Sequence, residues 1–207
     1  MSTSILSLVD HGGGNLASLE GALEAFGMPF RRAASPADAA PEGVLVLPGD
    51  GHFATAKSGL VASGWWAALP ALVAAGRPLL GICVGLQLLA EGSEEAPGEP
   101  GLGLLPGRVR RLGPGVKVPH MGWSKVRAAA PHPAFEGLGE AWLYFVHGYA
   151  LDVTEAALYT AEHGRPFAAI AGRARVLGFQ PHPEKSGRAG REMLRRALAW
   201  LASQEAP

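Results

Sequence analysis

One cysteine, Cys83, stands in the run Gly81-Ile82-Cys83-Val84-Gly85, and far down the chain His182 and Glu184 stand in Gln180-Pro181-His182-Pro183-Glu184-Lys185-Ser186. A thiol, an imidazole and a carboxylate are the parts of nucleophilic acyl chemistry. The sulfur attacks a carbonyl, and the imidazole takes the thiol proton and hands it to a leaving nitrogen. The carboxylate fixes the imidazole's tautomer and stabilises its charged form. Glycine two positions before and two after the cysteine is the nucleophile-elbow pattern, with sulfur where Gly-x-Ser-x-Gly hydrolases carry a hydroxyl. Such a turn is too tight for side chains at the flanking positions. It also lifts the sulfur onto the first turn of a helix, where free N–H groups and the helix dipole favour thiolate over thiol. A lone cysteine is often a small core residue and nothing more. The glycine bracket and the distant His-x-Glu weigh against that reading.

The elements that must position these groups are legible around them. Leu79 to Ile82 reads as a short buried strand, and Val84, Leu88, Leu89 and Ala90 continue it at helical spacing. Pro181 and Pro183 bias Gln180 and His182 toward extended backbone. Residues two apart then point the same way, so His182 and Glu184 converge beyond a strand at Val176 to Phe179. Upstream, residues 5–9 form an apolar strand, followed by a helix with Leu16, Leu19, Leu23 and Phe26 on one face and Gly27 closing it. Residues 41–47 form another strand, ending in Pro48-Gly49-Asp50-Gly51-His52-Phe53. Glycines there leave backbone N–H groups exposed at a strand's carboxyl end, where open α/β sheets bind ligands. A helical region with Leu60, Trp65, Trp66, Leu69 and Leu72 follows, broken by Gly64 and Pro70. This alternation predicts an α/β fold with a doubly wound, mostly parallel central sheet flanked by helices. Residues 91–101 are polar and rich in Pro and Gly, as expected of a solvated loop without chemistry. Short runs at 108–112, 122–126, 142–146, 157–160 and 167–171, with the strand at Val176 to Phe179, predict an additional antiparallel or mixed sheet portion in the second half. Ser186 is the expected N-cap of a last helix through Met193, Leu194, Ala197, Leu198 and Leu201. Without a linker or repeat, 1–207 reads as a single domain.

The 207 residues are 48% apolar and 17% charged, with a formal net charge of zero. That composition buries a core and argues against disorder and against a general nucleic-acid binder. A single cysteine cannot form an internal disulfide, which fits a reducing compartment. The N-terminus lacks a basic signal-peptide region and no run spans a bilayer, so the expectation is a soluble cytoplasmic protein. His11, His52, His120, His132, His147 and His163 are scattered without metal-ligand spacing, and neither metal nor cofactor is expected. A rival site exists. Gly12-Gly13-Gly14-Asn15-Leu16-Ala17 formally matches the dinucleotide fingerprint, and Arg31 and Arg32 can be cast as holders of a 2′-phosphate. No acidic residue follows at the spacing a ribose contact needs. Arg108, Arg110 and Arg111 alternate as on a solvated strand face.

Gly81-Ile82-Cys83-Val84-Gly85-Leu86-Gln87 together with His182-Pro183-Glu184 resembles a class I, triad-type glutamine amidotransferase. Further stretches resemble one branch of it, the glutaminase subunits of imidazole glycerol phosphate synthase. They are Val9-Asp10-His11-Gly12-Gly13-Gly14-Asn15-Leu16, Leu47-Pro48-Gly49-Asp50-Gly51-His52-Phe53, Val118-Pro119-His120-Met121-Gly122-Trp123, Tyr144-Phe145-Val146-His147 and the segment through Ser186. The Pro-His-Met-Gly-Trp stretch separates that branch from its relatives. The resemblance implies that Cys83, His182 and Glu184 release ammonia from glutamine through a glutamyl thioester, leaving glutamate after hydrolysis. It implies oxyanion donors at Val84 and in the Gly49-Asp50-Gly51 turn, and a substrate contact at Gln87. It also implies a heterodimer with a (β/α)₈-barrel cyclase subunit that uses the ammonia to make imidazole glycerol phosphate and an aminoimidazole carboxamide ribotide for histidine. Pro119, His120, Met121 and Trp123 would lie on the partner surface, although tryptophan's burial habits alone would put Trp123 at a partly exposed core edge. Resting activity is low in such pairs until the partner is loaded. Departures from the family pattern are Pro181 for an aromatic, Ser124 for an asparagine, Gly148 for a serine and His11 for a tyrosine. A free-standing cysteine amidase or peptidase with the same triad, and a nucleotide-binding module on Gly12 to Ala17, are the alternatives.

Overall fold

Strands that are apolar at every position need cover on both faces, and the first half of the chain supplies it. The computed structural model describes residues 5–12 and 16–204. Strands β1 (Leu6–Val9), β3 (Leu45–Leu47) and β4 (Leu79–Ile82) are buried along their whole length, and β2 (Phe30–Ala33) lies at the edge with Arg31 and Arg32 exposed. Between them come α1 (Leu16–Ala25), α2 (Phe53–Ala62) and α3 (Trp65–Ala74), and α4 (Val84–Leu89) follows β4 directly. Leu16, Leu19 and Leu23 of α1 and Leu60, Trp65 and Leu69 of the next two helices face the core.

The second half adds β5 (Val109–Arg111), β6 (His120–Ala128), β7 (Ala141–His147), β8 (Tyr149–Leu151), β9 (Ala157–Glu162), β10 (Pro166–Arg173), β11 (Val176–Phe179) and the long helix α5 (Gly187–Ser203). These antiparallel strands extend the same sheet, whose order is β2-β1-β3-β4-β11-β10-β9-β6-β7, while β5 and β8 pair separately. The strands from β2 to β11 run parallel, and those from β11 to β7 antiparallel. The expected α/β architecture with a parallel core and an antiparallel portion is what is found. No helix among the described residues is long and apolar enough to cross a membrane.

Several local expectations need correction. Gly64, with φ of 81°, does separate α2 from α3, but Pro70 lies inside α3. There it withholds only the N–H that would meet the Trp66 carbonyl, and the helix continues to Ala74. The strand expected at 41–47 is confined to Leu45–Leu47, because Gly43 takes a left-handed φ of 94°. Strand β8 was not anticipated, since Gly148 separates its three residues from β7. The 91–101 loop is pinned rather than loosely solvated: Ser93 is fully buried, Glu95 accepts from the Phe53 N–H at the start of α2, and Lys57 pairs with Glu99. Ser186 sits at the N-cap of α5 without capping it. Its hydroxyl donates to the His182 carbonyl at 2.6 Å and accepts from the Tyr144 N–H at 2.8 Å.

Candidate active site

The register of the parallel core brings the sequence-distant groups together. Ile82 at the end of β4 lies opposite Phe179 at the end of β11, and the Cys83 N–H donates to the Phe179 carbonyl at 2.7 Å. Whatever follows those two strands therefore emerges side by side, at their carboxyl ends. On the other flank Gly81 pairs with Leu47, which delivers the Pro48–Gly51 turn to the same place.

Cys83 has φ of 54° and ψ of −110°, a conformation other than glycine rarely takes, and it costs on the order of 1–3 kcal/mol. The flanking glycines are required by contact. A Cβ on Gly85 would lie 1.9 Å from the Leu47 carbonyl oxygen, and one on Gly81 would lie 2.8 Å from the Gly85 carbonyl carbon. Gly49 is held as closely against Val84 and Gly85, which fixes the candidate oxyanion turn beside the first turn of α4. Val84 begins that helix, so its N–H has no intrahelical partner.

His182 Nδ1 meets Glu184 Oε1 at 2.8 Å. They converge as expected, but not on extended chain: His182 is extended and Pro183–Lys185 is a 3₁₀ turn that folds the carboxylate back. On the other ring nitrogen, Asp50 Oδ1 lies 3.5 Å from Nε2. Ligand atoms of Asp50, Cys83 and His182 all lie within 4.8 Å of one another. Burial pushes the imidazole's pKa down, yet its interactions with Cys83 and Glu184 outweigh that and raise it to about 10. The ring therefore carries a proton at neutral pH. Pro181 leaves no gap, because Gln180 and His182 on either side donate to the carbonyls of Ala169 and Tyr144.

A cavity of about 400 Å³ opens onto the sulfur, lined by Asp50, Gly51, Cys83, Val84, Gln87 and Glu95, with Val146 to Tyr149 and Lys185 opposite. Gln87 is buried, and its amide donates to the Tyr149 carbonyl at 2.9 Å and to Gln180 Oε1 at 3.3 Å. Gln180, Glu95 and Lys185 were not singled out from the sequence. The alternation that paired His182 with Glu184 also places Gln180 on the side of His182, and would have found it. Glu95 was hidden in a loop whose composition reads as solvent-exposed.

Of the residues expected on the partner surface, Pro119 is exposed, and Met121 and Trp123 are 66% and 51% exposed, but His120 is buried. It belongs instead to an internal cluster with His147 and His163. The rival nucleotide site gains nothing. Arg31 and Arg32 lie within β2, Arg32 is tied to Glu20 by two hydrogen bonds, and Gly13, Gly14 and Asn15 fall outside the described residues. Arg110 is paired with Asp152 and Glu94.

A strained cysteine at a strand-to-helix turn, with a carboxylate-held imidazole at the neighbouring strand end, is an arrangement suited to thiol-based acyl chemistry on a doubly wound sheet. The profile of the class-I glutamine amidotransferase family matches residues 7–200. The sequence is 47% identical over 191 residues to imidazole glycerol phosphate synthase subunit HisH of Symbiobacterium thermophilum, covering 90% of each chain. It is 44% identical over 202 residues to the same subunit of Deinococcus radiodurans, covering 93% of each. Among solved structures, a glutamine amidotransferase superposes with a TM-score of 0.77 at 22% identity over 96% of this chain and 99% of that one. PurLQS from Thermotoga maritima gives 0.74 at 20%, over 96% and 99%. The chain belongs to the class-I glutamine amidotransferases, in the HisH branch.

Proposed function

We propose that this single-domain protein is the glutaminase subunit of a two-chain lyase of histidine biosynthesis, working in the cytoplasm with a (β/α)₈-barrel cyclase. The observation that carries the reading is the convergence of Cys83, His182 and Glu184 at adjacent strand ends, beside a cavity sized for an amino acid. The Cys83 thiolate attacks the side-chain amide carbon of glutamine, and the carbonyl becomes an oxyanion. The N–H of Val84 and a donor from Gly49, Asp50 or Gly51 receive that charge; one such donor is worth about 2.7–4 kcal/mol of barrier in other hydrolases. The His182 imidazolium gives its proton to the leaving nitrogen, the C–N bond breaks, and ammonia departs from a glutamyl thioester. Water then attacks the thioester, His182 takes a proton from it, and glutamate leaves as the sulfur is restored. Gln87 holds the substrate. Pro119, Met121 and Trp123 form the docking face, with His120 behind them.

The test is Cys83→Ala, assayed for glutamate release with the cyclase subunit and its nucleotide ligand present. Loss of about 10⁴-fold or more is expected for removal of a covalent nucleophile; retained hydrolysis ends the assignment. Full turnover by the isolated chain, indifferent to a cyclase, would instead mark a free-standing amidase.

A further inference from the structure

Two buried histidines that the triad does not use, His120 and His147, form an ordered chain, and each of its protons can be placed. The Tyr149 carbonyl offers only lone pairs, and His147 Nδ1 meets it at 2.9 Å. Nδ1 of His147 therefore carries a hydrogen. His147 packs edge-on against Phe167, its rings 5.1 Å apart, and burial first, with the neighbouring imidazoles, holds its pKa down to about 3. The neutral ring leaves Nε2 bare. That nitrogen faces His120 Nδ1 at 3.1 Å, so His120 must be the donor. His120 is itself kept neutral by burial and by the stacked His163 ring, 4.1 Å away. Its bare Nε2 meets Ser124 Oγ at 2.9 Å, so the serine hydroxyl donates. Reversing any one link would set two protons or two lone pairs against each other.

The other direction is equally determined. The Tyr149 carbonyl also accepts from Gln87 Nε2, which fixes that amide's orientation. The same Nε2 donates to Gln180 Oε1, which fixes the second amide with its Nε2 toward the Cys83 sulfur at 3.9 Å. The Val146 carbonyl oxygen also lies 3.9 Å from the sulfur, which can donate to it. The Gln180 amide and the Val146 carbonyl are thus both neighbours of the sulfur, alongside His182 and Asp50.

We propose that Ser124, His120, His147, the Tyr149 carbonyl, Gln87 and Gln180 form one hydrogen-bond relay that links the Met121–Trp123 face to the Cys83 sulfur, with Gln180 as the positioning residue at its inner end and a required donor at position 124. Ser124 follows Trp123 directly on β6. Met121 pairs with Val146 on β7, the edge strand of the sheet. Pressure on that face therefore reaches both groups that flank the sulfur, Val146 along the strand pair and Gln180 through the relay. The coupling to turnover rests on the glutaminase reading; the proton placement does not.

The experiment uses the full-length chain in two arms. Nitrogen-15 NMR of the histidine rings at neutral pH should show His120 and His147 as Nδ1–H tautomers. Either His120 or His147 as Nε2–H overturns the relay. In the second arm, Ser124→Ala should lower kcat for cyclase-stimulated glutamine hydrolysis about three- to tenfold with KM little changed, and Ser124→Asn or Ser124→Thr should restore it by keeping a donor. Gln180→Leu should slow alkylation of Cys83 by iodoacetamide about as much, with no glutamine present. Wild-type kcat in Ser124→Ala, or wild-type alkylation in Gln180→Leu, defeats the proposal. A glutaminase failure would show first in the wild type and leave the tautomers untouched.

Discussion

His182 and His147 are both buried and both hydrogen-bond through Nδ1, yet their pKa values part in opposite directions, to about 10 and about 3. Burial disfavours the charged ring in each. What differs is the partner set. His182 lies between Glu184 on one side and Cys83 and Asp50 on the other, all groups that favour a cation. His147 meets a neutral carbonyl, another imidazole and aromatic rings. The imidazolium at His182 also repels a charge on His147. One cluster is built to hold a proton and pass it on; the other is built never to take one. Depth of burial sets the cost of charge, and the neighbours decide whether it is met.

The sharpest way to break this contrast is Glu184→Gln. The amide oxygen can still accept from Nδ1, but the compensating charge is gone, and the His182 environment moves toward that of His147. We expect kcat to fall by about 10³–10⁴, the scale seen when a triad carboxylate is made neutral elsewhere. The His182 pKa should drop well below 10 in a ring titration. The sign of the stability effect follows. A raised pKa contributes stability that is complete below about 6.5 and lost as pH climbs through about 10. Glu184→Gln should therefore be destabilised most at and just below pH 6.5, and approach the parent in alkali. A variant with unaltered kcat would show that the carboxylate only packs.

Acid tests the other member of the pair. His120 and His147 are depressed to about 4 and about 3 from 6.5, and burial lowers His132 as well. For a depressed base the stability is present above 6.5 and disappears as pH falls through the folded value. The unfolded chain takes up those protons first, at about 1.4 kcal/mol per pH unit for each. The paired carboxylates Glu20, Glu140 and Glu192 are shifted below 4.5, so their losses come later. Urea-unfolding midpoints should accordingly fall between pH 6.5 and 4.5. A flat profile across that window would mean that the cluster protonates without unfolding.

How much of this was open to sequence reading depends on the kind of signal. The elbow was legible because Gly81 and Gly85 answer to a steric demand, and the structure shows the carbonyls and backbone they would strike. The His182–Glu184 contact was legible for a partly mistaken reason: the proline that favoured extended backbone at His182 also starts the 3₁₀ turn. Reading the Pro119–Trp123 motif as a block puts His120 on the surface. Read as a strand of period two, His120, Met121 and Trp123 cannot all face outward, and the burial alternates accordingly. Glu95 and Ser93 were invisible because composition reports what a loop contains and not what it is tied to. The relay could not be read at all, since it joins β6, β7, β8, α4 and the β11 end through a register that only the fold sets.

The smallest expected effect probes how far the histidine cluster depends on its own members. The His163 ring stacks on His120 at 4.1 Å with an interplanar angle of 12° and bonds the Lys117 carbonyl, but it is only half-buried. Burial is the larger cause of the His120 shift and the His163 charge the smaller. His163→Asn removes the second and leaves the first. The His120 pKa should then rise from about 4 by a fraction of a unit and stay well under 6.5. The lost stacking and the bond to the Lys117 carbonyl should cost about 1 kcal/mol, the net worth of one such contact. Proton NMR of the His120 ring against pH measures the first effect and urea unfolding the second. Were His120 to return to 6.5 in this variant, repulsion within the cluster, and not desolvation, would be what keeps it neutral. The contrast with His182 would then be one of charged neighbours on both sides.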